Sequence, residues 1–245
     1  MLKFVAILVV LLTIVTRHDV DDALYIELGE KHGAVVAGIS GGCGTLIRPT
    51  WVLTAAHVAY SSDLKGHVDI GGNRYAIKRR VLHPDFTLSA GVQHDIALVE
   101  LSEPVVGVVP ARLYTDSNEV GEEVIFVGTG WASSGDVGLM EGHINKDGHM
   151  RGAQNRVDGI TGNYLRFTFD DPDSENALPL EGISGSGDSG GPALWFSEGH
   201  TYVMGVSSHQ GGRVAGRPQG VYGVLEYYTR VSDYQDWMRE VMGEG

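Results

Sequence analysis

Short apolar runs, some alternating with polar positions, recur along most of this chain and read as strands. The clearest bursts span residues 74–82, 96–101, 123–127, 164–169, 193–196 and 202–206. Turn-forming clusters such as Gly71-Gly72-Asn73, Asp85 and Gly211-Gly212 punctuate them. Short strands joined by such turns predict an antiparallel barrel architecture. Two segments break the pattern. Near the N-terminus, Lys3 precedes a continuous apolar run of twelve residues, 4–15, that turns polar at Thr16-Arg17-His18. It reads as an export signal over residues 1–18, too short to span a bilayer comfortably and without an evident small-x-small cleavage site. Near the C-terminus, Val231, Tyr234, Trp237, Met238 and Val241 have helical spacing. They predict a closing helix over about 232–243.

Composition narrows the class of protein. With 245 residues and 42% hydrophobic content, the chain can bury an ample core and is not disordered. A net charge of −13 argues against nucleic acid or an anionic membrane as partner, because phosphate binding needs clustered Lys and Arg. The one dense basic run, Lys78-Arg79-Arg80, reads as a solvated strand face. Cys43 is the only cysteine, so no intrachain disulfide can form, and its surroundings suit a small buried residue better than a second nucleophile. The polar, glycine-rich stretch 132–162 holds His143, Asp147 and His149. Their spacing fits no metal-ligand pattern, so the stretch is expected to be an exposed loop bearing no metal, and no cofactor is implied.

The chemistry concentrates at Gly187-Asp188-Ser189-Gly190-Gly191-Pro192, where a serine sits in a turn whose glycines leave backbone N–H groups unobstructed. Attack on a carbonyl creates an oxyanion, and the N–H groups of Gly187 and Ser189 are the expected donors to it. In a chain with 35 glycines this turn alone carries little weight. Two further blocks supply its partners: Thr54-Ala55-Ala56-His57, and Asp95 at the head of the apolar run Ile96-Ala97-Leu98-Val99. Serine needs a neutral histidine to take its proton, and that histidine needs a carboxylate to fix its tautomer and stabilise the imidazolium. His57, Asp95 and Ser189 fit these roles. An α/β-hydrolase also uses a G-x-S-x-G turn, but its order is Ser, acid, His, and the 56 residues after Ser189 are too few for the rest of such a sheet.

The blocks TAAH, HDIAL and GDSGGP, in this order and at these separations, resemble the chymotrypsin/trypsin-like serine peptidases, from about residue 41 to 237. The resemblance implies an all-β fold of two antiparallel six-stranded β-barrels, with the active site in the cleft between them and a C-terminal helix packed on the second. On that pattern residues 19–245 form the peptidase domain, the first barrel covers about 23–119, the second about 120–231, and they divide near 114–121. The implied activity is that of a secreted serine endopeptidase hydrolysing protein or peptide substrates through an acyl-enzyme, with no stable membrane partner after signal cleavage. The alternative is a catalytically silent binding protein on the same fold, against which stands the retention of all three triad residues. For substrate binding, the resemblance places Ile183 at the floor of the primary pocket, Ser208, His209 and Gln210 along a wall, and the Ser208 hydroxyl within reach of Asp95. With Ile183 at the floor, cleavage after medium or large apolar residues is expected, or a mixed preference that includes lysine if Glu226 supplies an acid. Glu226 points a carboxylate into the pocket if Tyr228-Thr229-Arg230-Val231 aligns without gaps, or lies in a loop if Gly220-Val221-Tyr222 takes that place. Family members pair the aspartate before the serine with a newly released α-ammonium group. Here no Ile-Val-Gly-Gly-like sequence stands at a suitable distance to supply it, and Val35-Val36-Ala37-Gly38 is too close.

Overall fold

The computed structural model describes residues 14–61, 66–88, 92–129, 132–145, 147–185, 187–211 and 218–244. Most of the leader and the Gly212 turn signal therefore lie outside the described residues. In chain order the elements are β1 (Val15–Thr16), α1 (Asp22–His32), β2 (Val36–Ile39), β3 (Gly42–Arg48), β4 (Trp51–Thr54), α2 (Ala56–Ser61), β5 (His67–Ile70), β6 (Asn73–Leu82), β7 (Ala97–Leu101) and β8 (Arg112–Leu113). There follow β9 (Glu123–Gly128), β10 (Ser133–Ser134), β11 (Arg151–Arg156), β12 (Gly159–Thr161), β13 (Tyr164–Thr168), β14 (Gly182–Ile183), β15 (Pro192–Ser197), β16 (His200–Gly211), β17 (Leu225–Arg230) and α3 (Gln235–Met242). The bursts read from the sequence coincide with strands to within a residue at their ends.

Strands β2-β3-β4-β7-β6-β5 close into an antiparallel barrel around Leu46, Val52, Leu53, Val68, Ile70, Leu98 and Leu101, all buried. The second half is the other barrel in a curled, open form. It is a curled eight-stranded sheet in the order β11-β9-β15-β16-β17-β13-β12, with β8 added to β16, and its inner face buries Phe126, Leu165, Phe167, Met204 and Tyr228. Full closure would need a pairing between β11 and β12, and the register runs instead through β9 on one side and β13 on the other.

The closing helix also departs from expectation. Val231, Tyr234 and Met238 join the core cluster of the first barrel, where Val203 and Val206 are its contribution from the second. Arg48 clamps Glu244 with two bonds of 2.7 and 3.0 Å, and the Arg79 guanidinium reaches the Val241 carbonyl. The apolar stripe of α3 thus seals the first barrel after the chain has finished the second, tying the two halves together.

The N-terminal region carries the largest surprise. Residues 14–18 are built into the fold: Val15 pairs with Ser133 on one side and Ile183 on the other, and both Ile14 and Val15 are completely buried. A cut after His18 would remove this strand. The next element, α1, begins with its N-cap aspartate, Asp21, accepting from the Ala23 N–H, and lies against β11, where Gly29 allows the helix to touch the Arg151 backbone. Arg151 is the largest fully buried side chain, and its guanidinium is held by Asp22 at 2.6 and 2.7 Å and by Asp147 at 2.7 and 3.0 Å. The stretch expected to be one exposed loop, 132–162, therefore contains a buried strand whose polar residues are paired: Asn155 donates to the Thr168 and Gly182 carbonyls. Asp147 is committed to the arginine.

Candidate active site

Three elements converge on a cavity of about 380 Å³ lined by His57, Ser184, Gly185, Gly187, Ser189, Ser208, His209, Gln210 and Glu226, among others. His57 sits in the first turn of α2, directly after β4, and Asp95 precedes β7. Because β4 and β7 are neighbours, with Thr54 opposite Ala97, the two residues leave adjacent strands at the same end. The Asp95 carboxylate is wholly buried and receives the His57 backbone N–H at 2.9 Å on Oδ1 and the His57 ring Nδ1–H at 2.7 Å on Oδ2. A third donor, the Ser208 hydroxyl, reaches Oδ2 at 2.6 Å. Thr229, which the sequence did not flag, steadies the same residue by donating to the Asp95 carbonyl at 2.9 Å. An ionised carboxylate can be buried only when its lone pairs are met in this way. With Nδ1 giving its proton to Asp95, Nε2 is left as the ring's acceptor.

Ser189 comes from the turn before β15, and that turn is stapled to both halves of the molecule. Its own carbonyl accepts from the Cys43 N–H of β3 at 2.8 Å, while Gly190 N–H donates to Ser207 at 2.8 Å and Ser207 N–H returns to Gly191 at 2.9 Å. Inside the turn, Asp188 N–H donates to Gly185 and Gly191 N–H to Asp188. Gly187 and Gly190 have φ of 102° and 81°, values that side-chain-bearing residues rarely adopt, and a Cβ on Gly190 would strike Thr54 and Cys43. Among the described residues, the N–H groups of Gly187 and Ser189 have no backbone acceptor. Nor is His57 bonded to Ser189 among them; such contacts commonly tighten only when substrate is bound. Asp188 is buried, and its carboxylate accepts the Gly185 N–H at 3.1 Å. Cys43 lies beneath the turn, and burial, with Asp188 adding to it, pushes its thiol up to about 12, so it is an inert packing residue.

Ile183 does not line the cavity; it is buried among Val15, Phe169, Tyr222 and Val224, because its pairing with β1 turns it away. The neighbour Ser184 faces the cavity instead. Glu226, on β17, is the acid there: its carboxyl accepts the Ser184 N–H at 2.8 Å and also the Ser184 hydroxyl. Ser184 Oγ stands 2.9 Å from Ser207 Oγ, and Gln210 donates to the Ser184 carbonyl at 2.8 Å. Burial pushes Glu226 up to about 8 against the pull of the Ser184 donors, and the nearby Asp188 charge acts in the same direction. Ser184 was missed because a lone serine between a glycine-rich turn and an apolar residue has no pattern of its own.

A family model described as Trypsin matches residues 30–238. The chain belongs to the trypsin family. Vitamin K-dependent protein C from Rattus norvegicus is 31% identical over 227 residues, 82% of this chain and 46% of that protein. Trypsin from Phaedon cochleariae is 29% identical over 220 residues, 80% of this chain and 77% of that one. The chain thus spans about half the length of protein C. Among solved structures, mouse neuropsin, titled a serine protease expressed in the limbic system, is similar with a TM-score of 0.68 at 22% identity, over 86% of this chain and 95% of that one. At that identity it bears on the fold alone. Members of this family are chymotrypsin/trypsin-like serine peptidases, and no helix among the described residues is long and apolar enough to cross a membrane.

Proposed function

We propose that this protein is a secreted serine endopeptidase in which His57, Asp95 and Ser189 form the triad and the N–H groups of Gly187 and Ser189 form the oxyanion hole. The observation that carries the reading is the fully buried Asp95 with three donors on its carboxylate, two of them from His57. An aspartate so held is a poor surface feature and a good means of fixing a histidine tautomer. In the reaction His57 Nε2 takes the Ser189 hydroxyl proton as Oγ attacks the scissile carbonyl, and the imidazolium is stabilised by Asp95. The negative oxygen is met by the two N–H groups. His57 then gives the proton to the leaving amine, and water repeats the sequence on the acyl-enzyme.

For substrate, the polar floor of Ser184 and Glu226, with Gln210 and His209 on the wall, favours a side chain that donates hydrogen bonds over a purely apolar one. Glu226 as a neutral acid accepts and gives a hydrogen bond; ionised, it pairs with a lysine ammonium. The proposal therefore combines protein or peptide substrates with a preference that includes lysine at the residue before the cut. The test is hydrolysis of a peptide anilide by the purified protein and by Ser189→Ala. Turnover should fall by about 10⁶ in the variant. Equal turnover by both proteins would exclude the mechanism.

A further inference from the structure

Ser208 and His209 lie on β16 where its register against β17 slips between Ser207 and His209. In a regular strand neighbouring side chains point to opposite faces, but a bulge re-aims one of them. Here the slip brings His209 Nδ1 to 3.1 Å from Ser208 Oγ, on the side of the strand that faces Asp95. The donor roles follow from counting protons. Ser208 Oγ stands 2.6 Å from a carboxylate oxygen, and an ionised carboxylate has no proton to offer, so Ser208 is the donor in that contact. Its lone pairs remain for His209. Nδ1 of His209 must then carry the proton, and Nε2 is the bare nitrogen.

The ring is locked in this attitude. It stacks on Tyr227 at 5.0 Å and 13°, and meets Tyr164 edge-on at 5.1 Å and 87°, while the Tyr164 hydroxyl is itself tied to the Val92 carbonyl at 2.7 Å. Burial pulls His209 toward its neutral form, the Asp95 charge resists, and His57 acts with the burial. The titratable groups facing it are thus Asp95, His57, Tyr164 and Tyr227.

We infer that His209 is a positioning residue of the triad: it donates through Nδ1 to Ser208 and thereby commits the Ser208 hydroxyl proton to Asp95, extending the chain His57–Asp95–Ser208 by one imidazole. A linear run of hydrogen bonds polarises its members in the same sense, so this donor strengthens the bond that Asp95 receives. The inference rests on the serine peptidase reading for its effect on rate, and on geometry alone for its tautomer.

The test separates the two. In the full-length protein labelled with ¹⁵N-histidine, NMR reads the tautomer directly: His209 should be protonated on Nδ1, and an Nε2–H tautomer overturns the inference. His209→Phe keeps the stack and removes the donor, whereas the Nδ2 of His209→Asn occupies the place of Nδ1. The kcat for a simple ester should drop about fivefold in His209→Phe, the acid limb of its pH profile should move up, and His209→Asn should recover both. Equal losses in the two variants, or none in His209→Phe, overturn it. A wild type with the expected tautomer but no esterase activity would instead count against the peptidase reading.

Discussion

Glu226→Gln exchanges a buried acid for its neutral isostere, and its effect on stability can be worked from the pocket. The carboxyl is 1% exposed and has a folded-state value raised from 4.5 to about 8, chiefly by burial. A raised acid stabilises the fold fully below its unfolded value, and that contribution is lost as pH climbs through the folded value. The gap of about 3.5 in pH, at about 1.36 kcal/mol each, sets a ceiling of about 5 kcal/mol between pH 4.5 and 8. Glu181, equally buried and likewise raised to about 8 by burial, has a similar share and is retained in the variant. The introduced amide can keep the Ser184 contacts, since its carbonyl oxygen accepts the Ser184 N–H and its nitrogen reaches the hydroxyl. The measurement is urea unfolding at pH 5, 7 and 9 in a Ser189→Ala background, which prevents self-digestion. Wild-type stability should decline toward pH 9, and Glu226→Gln should lose about half as much. Parallel pH dependences in the two proteins would refute the reasoning, because they would mean that Glu226 ionises as freely in the fold as outside it.

The same residue should govern cleavage: the ratio of kcat/KM for lysine against phenylalanine before the cut should rise from pH 6 to 9 in the wild type and stay flat in Glu226→Gln, as measured with paired peptide anilides. Ile183→Ala should cost about 2–4 kcal/mol by leaving a cavity under β1, yet leave that ratio unchanged, because Ile183 packs away from the pocket; a changed ratio would restore Ile183 to the floor. Arg151→Met should lower stability by about 2–3 kcal/mol in thermal melts, since a fully buried side chain loses both partner carboxylates that pin α1 and the segment before β11; an unchanged melting temperature would show the clasp to be idle.

Strand β6 was legible from its alternation of polar and apolar positions, and strands buried on both faces, such as β7, from a short apolar run bounded by turn signals. The residues of the proposed triad were legible because each of the three blocks sets one of them beside a strand or turn that fixes it. Strand β11 was not: Arg-Gly-Ala-Gln-Asn-Arg has no apolar period, and it is buried only because Arg151 and Asn155 find partners far away in sequence. The same holds for β1, whose Val15 reads as part of a leader and whose place between β10 and β14 depends on two segments more than 115 residues downstream. The pocket floor was hard to read for a related reason. Which of Ile183 and Ser184 faces the cavity is a question of one residue in register, and β1 decides it.

The central claim is an activated serine at position 189, and covalent labelling with a fluorophosphonate, located by mass spectrometry, tests it without knowledge of the substrate. A single adduct on Ser189 is expected, forming rapidly in the wild type and at least about a hundredfold more slowly in His57→Ala. No adduct on the folded protein, or an adduct that forms as fast without His57, would contradict the account.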